Sequence, residues 1–135
     1  VWRDVTWDWG HFEAGDLSIQ YGGVRQSTED GTDRSGGRFA FVVDSLGLAA
    51  ILPIRNIEYE WSEEGPTRMR LEASLGNQSL RLDVPVDHWL ATEQEAEGRS
   101  RTFYQLRGEA EVDAVLVDGP VSGRGTGSFE TWTTR

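Results

Sequence analysis

A chain of 135 residues with no cysteine, and with 23 acidic against 13 basic residues for a net charge of −10, excludes several classes before any motif is read. Disulfides and thiolate metal sites are ruled out, the charge repels phosphate backbones and anionic lipid heads, and no run approaches the roughly 20 apolar residues of a membrane helix. A domain this long buries about two-thirds of its unfolded surface without a covalent staple, so one soluble, cytoplasmic domain over 1–135 is expected, with no nucleic-acid partner and no membrane insertion.

The chain opens at Val1-Trp2 without an initiator methionine, directly in a strand-like pattern, as a trimmed protein or the later part of a longer one would. Apolar–polar alternation then recurs about every ten residues, and helical periodicity is hard to find, which predicts an all-β, antiparallel sandwich or barrel. Val5, Trp7 and Trp9 alternate with Thr6, Asp8 and Gly10; after Ala14-Gly15-Asp16 the pattern resumes in Leu17, Ile19 and Tyr21, a hairpin. Gly31 to Gly37 is polar and glycine-rich, and reads as a mobile loop at one barrel mouth before Phe39, Phe41 and Val43. The apolar run Leu46–Leu52 stops at Pro53, which cannot donate to a ladder and marks an edge or a strand end.

Ile57, Tyr59 and Trp61 alternate with Glu58 and Glu60, and Glu64-Gly65-Pro66 turns the chain into Met69, Leu71, Ala73 and Leu75. Gly76-Asn77 is a tight-turn pair before Leu80, Leu82 and Val84, so three successive strands form a meander here. The alternation weakens between Val86 and Arg101, where a short helix or a loop is expected. Phe103–Leu116 and Pro120–Thr133, separated by Asp118-Gly119, make a long closing hairpin. No repeat or low-complexity tract divides the chain.

The six tryptophans are expected mostly inside, because each aromatic of that size buries about 150–250 Å². In a barrel, Trp7, Trp9, Tyr21, Tyr59, Trp61 and Trp132 either line a cavity for a polyene or polycyclic guest or simply fill the core. His11 shares the Trp7–Trp9 side by strict alternation, with Gly10 able to bulge it to a rim; His88 follows Asp87 and precedes Trp89. Either is a proton shuttle or an ordinary surface histidine. Glu58 and Glu60, like Glu109 and Glu111, share a strand face and mostly coat the solvent side, although Glu60 beside Tyr59 is also a candidate acid. Two distant histidines predict no metal site, and no Gly-x-Ser-x-Gly elbow supports a serine hydrolase.

Gly123, Gly125 and Gly127 strip the side chains from one face of the last strand, so something must approach that backbone closely. A phosphate-binding glycine loop needs a helix after it, and Ser128 to Trp132 continues as strand, so no nucleotide cofactor is expected.

Taken together, Trp7-Asp8-Trp9-Gly10, the strand through Tyr21-Gly22, the Trp61 strand and Gly123-Arg124-Gly125-x-Gly127-x-Phe129-Glu130 resemble the C-terminal lipocalin-like domain of the carotenoid 1,2-hydratase superfamily, which includes kievitone hydratases and polyketide Diels-Alderases. Where the family pattern carries an aromatic in the glycine run, this chain has Thr126. The resemblance implies an up-and-down β-barrel of the calycin type that encloses a hydrophobic metabolite. It also implies an N-terminal sister domain or a second copy as partner, since members usually have two such domains. Two functions follow: a cofactor-independent cyclase, isomerase or hydratase (a lyase) acting on a polyketide, terpenoid or carotenoid-like substrate, with His11, His88 or Glu60 polarising it; or a non-catalytic ligand-binding or structural barrel.

Overall fold

The computed structural model describes residues 2–28, 33–96 and 98–134, with side-chain surroundings for 6–24, 37–95, 98 and 100–132. Eight strands follow one another: β1 (Trp2–Ala14), β2 (Leu17–Thr28), β3 (Asp33–Asp44), β4 (Gly47–Trp61), β5 (Pro66–Leu75), β6 (Gln78–Ala96), β7 (Arg99–Leu116) and β8 (Gly119–Thr134). Each is antiparallel to the next, and β8 closes on β1, giving an up-and-down, lipocalin-like barrel. Closure pairs the two edges an open sheet would expose.

One end is sealed by four two-residue turns, at Gly15-Asp16, Ser45-Leu46, Gly76-Asn77 and Val117-Asp118. Gly15 and Gly76 open their turns at φ 62° and 60°, the left-handed conformation that primed hairpin turns require. In the turn after β3, Asp44 Oδ1 accepts the Leu46 N–H at 2.8 Å. Above these turns the interior is solid: Ala14, Leu17, Val42, Leu52, Leu71, Leu80, Val112 and Ala114 are buried in one cluster. The start of β1, the end of β8, the β4–β5 connection and the adjoining ends of β6 and β7 lie at the opposite end, which is the mouth.

Two prolines shape that mouth. The β3–β4 register ends at Phe39↔Pro53 and the β5–β6 register at Arg68↔Pro85, and neither proline has an N–H to extend its ladder. Pro53 thus marks an edge, one of the two expected alternatives, and not a strand end: β4 runs on to Trp61, held among the described residues by β5 alone. The helix or loop expected after Val86 is also corrected. β6 continues to Ala96, paired with β7 throughout, and its alternation fades because a bulge between Val86 and His88 shifts the register and because the hairpin then rises past β5, with both faces wet. Asp33 to Gly37, read as loop, belong to β3, paired with β2; Gly31 and Thr32 lie outside the described residues.

The glycines of β8 meet the close approach that their spacing demanded. A Cβ on Gly123, Gly125 or Gly127 would run into the Ala14, Glu13 or His11 carbonyl of β1, and Gly127 also carries the Phe12 ring. Bare backbone here lets β8 cross tightly over the end of β1 and close the barrel.

Candidate functional site: a buried carboxyl beneath an aromatic mouth

The two-residue turn after Ala14 fixes which face of β1 looks inward. It pairs Ala14 with Leu17, Phe12 with Ile19 and Gly10 with Tyr21, so Asp8, Gly10, Phe12 and Ala14 point into the barrel with Leu17, Ile19 and Tyr21. Trp7, Trp9 and His11 therefore point out, which corrects the expectation that they line the interior. Trp7 and Trp9 are 44% and 48% exposed. Trp9 lies over Gly22 and, with Phe39 and Phe41, walls an open outer groove of about 630 Å³. Trp132 is half-buried against Phe103 on the same outer surface, ring centroids 4.3 Å apart. Nor do the described tryptophans sit mostly inside, the Trp2 side chain lying outside the described residues: Trp61 and Trp89 belong to the interior face but reach solvent at the mouth.

The candidate acids and bases also face outward. His11 Nε2 lies 2.7 Å from Glu13 Oε1 on the exposed wall. His88 is exposed opposite Arg107. Glu60 is exposed and accepts from Arg70 Nη1 at 2.6 Å. Alternation makes the His11 and Glu60 placements inevitable once Phe12 and Tyr59 are inside. Tyr21, Tyr59 and Trp61 are on the interior side, as expected.

Sequence reasoning missed Asp8. This carboxylate is 2% exposed, deep in the barrel, opposite Thr131 of β8 and Gly23 of β2. Tyr21 lies flat over Gly10, where any Cβ would strike its ring and hydroxyl, and that places the phenol near Asp8. A bulge between Ile54 and Asn56 resets β4 so that Tyr59 enters from the far wall. Arg38 of β3 contributes a positive field.

Burial pushes the Asp8 pKa up from 3.8 to about 6, against the opposing pull of the Thr131 hydroxyl, the Arg38 guanidinium and the Tyr59 hydroxyl. Burial, with the nearby carboxylate, also holds the Tyr21 and Tyr59 phenols protonated far into alkaline solution. Although these groups are close enough to influence one another, Asp8 Oδ1 and the hydroxyl oxygens of Tyr21, Tyr59 and Thr131 are closed off from solvent without a well-formed hydrogen bond among the described residues.

Ring contacts run from this cluster to the surface. Phe12 packs on Tyr21 and Phe129 at 6.5 and 5.5 Å, Phe129 on Tyr59 at 6.5 Å, Tyr59 on Trp61 at 6.0 Å, Trp61 on Tyr104 at 5.1 Å and Tyr104 on Trp89 at 6.2 Å. Trp89 covers Gly65 in the β4–β5 turn, where a side chain would displace it. These contacts form a continuous file of rings from the mouth to one weak acid. Among the described residues no cluster of histidine and carboxylate side chains is able to hold a metal ion, and no helix is long and apolar enough to cross a membrane.

No family model matches the chain, and no curated protein matches it. Among solved structures it is similar to kievitone hydratase from Nectria haematococca, with a TM-score of 0.48 and 17% identity over 92% of this chain, which spans 38% of that protein's length.

Proposed function

We propose that the barrel binds a hydrophobic small molecule at its aromatic mouth and promotes its cyclisation or isomerisation, with Asp8 as the acid. The observation that carries this reading is the aromatic path from Trp61, Trp89 and Tyr104 down to a buried carboxyl whose pKa of about 6 lets it give and retake a proton near neutrality. Protonation of a bound alkene by Asp8 creates a carbocation; loss of a neighbouring proton back to the carboxylate completes an isomerisation, and attack by a second alkene before that loss completes a ring. Aromatic faces stabilise the cation in transit. Enclosure adds to the rate by holding a floppy chain near its reactive shape. The likeness of the Trp7–Gly10 and Gly123–Glu130 segments to the carotenoid 1,2-hydratase superfamily supports the same class of substrate. His11, His88 and Glu60 have no part in it, because the barrel wall separates them from the interior.

Titration with the uncharged fluorophore N-phenylnaphthylamine tests the binding. Saturable binding is expected, weakened about tenfold by Trp61→Ala, which corresponds to about 1.4 kcal/mol, and unchanged by Trp9→Ala. The opposite pattern would move the site to the outer groove and refute the reading. Incubation of a linear terpenoid in heavy water tests the chemistry: deuterium is expected in the rearranged product, and not with Asp8→Asn.

A further inference from the structure

A hydrocarbon guest would cover Asp8 Oδ1 and the Tyr21, Tyr59 and Thr131 hydroxyls without satisfying any of them, and they already lack well-formed partners. Three of the four always carry a hydrogen to donate and the fourth, Asp8, carries one when neutral, and they come from different walls of the barrel: Tyr21 from β2, Tyr59 from β4 and Thr131 from β8, with Asp8 on β1. The phenols stay protonated throughout the working pH range. Hydroxyl donors close enough to act on Asp8 and on one another, beside Phe12 and Phe129 and shut off from solvent, match the recognition of a single acceptor oxygen.

We propose that the inner end of the site binds the oxygen of a conjugated ketone, so that the substrate is an apolar molecule ending in an enone rather than a plain hydrocarbon. Tyr21 and Tyr59 donate to the carbonyl oxygen, and Asp8 donates as the neutral acid, with Thr131 completing the ring of hydroxyls. A tyrosine acting beside a carboxylic acid kept neutral by burial is an established way to hold an enolic oxygen. Because the carboxylate form repels the carbonyl, binding takes up a proton whenever Asp8 is ionised beforehand. The groups that set this balance are Tyr21 from β2, Arg38 from β3, Tyr59 from β4 and Thr131 from β8. This inference rests on the reading of the interior as a ligand site and adds the chemistry of the ligand's buried end.

The test compares benzylideneacetone with β-methylstyrene, which keeps the planar aromatic alkene and lacks the carbonyl, on the full chain. The ketone is expected to bind at least tenfold more tightly, with its carbonyl stretch moved to lower frequency than in water. Tyr59→Phe and Tyr21→Phe each keep the ring and remove the donor, and are expected to cost the ketone up to about tenfold while leaving the styrene unchanged. Affinity for the ketone should fall as pH rises through about 6, and in Asp8→Asn, whose amide still donates, it should become independent of pH over that range. Equal binding of both compounds, or ketone binding that neither tyrosine variant alters, overturns the inference while leaving apolar binding intact. If neither compound binds and the urea midpoints show every variant folded, the interior is not a ligand site and both readings fall together.

Discussion

Replacing Asp8 with asparagine separates a structural carboxylate from one held against its preference. Burial raises its pKa from 3.8 to about 6, and at about 1.4 kcal/mol for each pH unit the folded state binds this proton more tightly than the unfolded state by about 3 kcal/mol. Between these two values the native chain holds a proton that the unfolded chain has released, so the stabilisation is complete below about pH 4 and is lost as pH rises through about 6. Above that, the native chain carries an ionised carboxylate at 2% exposure. Asparagine has nearly the same shape and no charge. Asp8→Asn is therefore expected to match the parent near pH 4 and to exceed its stability near pH 8 by about 2–3 kcal/mol. Urea unfolding at the two pH values measures this directly: at about 1–3 kcal/mol per molar of denaturant the midpoint moves up by about 1–2 M at the alkaline pH only. Taking the difference between variant and parent cancels the contributions of the other acidic groups. A variant less stable at both values, or a gap that does not change with pH, would mean that hydrogen bonds to the ionised carboxylate outweigh its desolvation, and would refute the assignment of Asp8 as a near-neutral acid.

Gly125→Ala places a methyl group against the Glu13 carbonyl, which is backbone and cannot swing away; a loss of about 2–4 kcal/mol in thermal unfolding is expected, whereas a mild effect would show that the β1–β8 closure is loose. His11→Ala and His88→Ala alter only the exposed wall, and are expected to change stability by less than about 0.5 kcal/mol and N-phenylnaphthylamine affinity not at all. Glu60→Gln breaks the 2.6 Å pair with Arg70, but that pair is half in water on both sides, so the expected loss is under about 1 kcal/mol in a urea melt.

Much of the barrel was legible in the chain. The alternating runs and the turn pairs Gly15-Asp16 and Gly76-Asn77 gave the strands, because side-chain alternation and left-handed turn positions are local requirements that local residues must meet. The Gly123–Gly125–Gly127 face announced a close backbone contact, and the contact is there. The face of β1 was also recoverable: a two-residue turn after Ala14 places Phe12 opposite Ile19, and that register puts Asp8 inside and Trp7 and Trp9 outside. The assumption that large aromatics are buried overrode it. Pro53 marked the end of a ladder, but that β4 runs on past it, and which walls face each other, was not in the sequence. The mouth opens because the β3–β4 and β5–β6 pairings stop at Pro53 and Pro85, and β6 runs on as a strand through a bulge that no period announces. Composition and alternation by themselves determined an all-strand, antiparallel chain that could close as a sandwich or a barrel. Only closure of β8 onto β1 brought Asp8, Tyr21, Tyr59 and Thr131, from four separate strands, into one solvent-free volume, and it is that shared burial, a property of no single segment, that shifts the carboxyl toward neutrality.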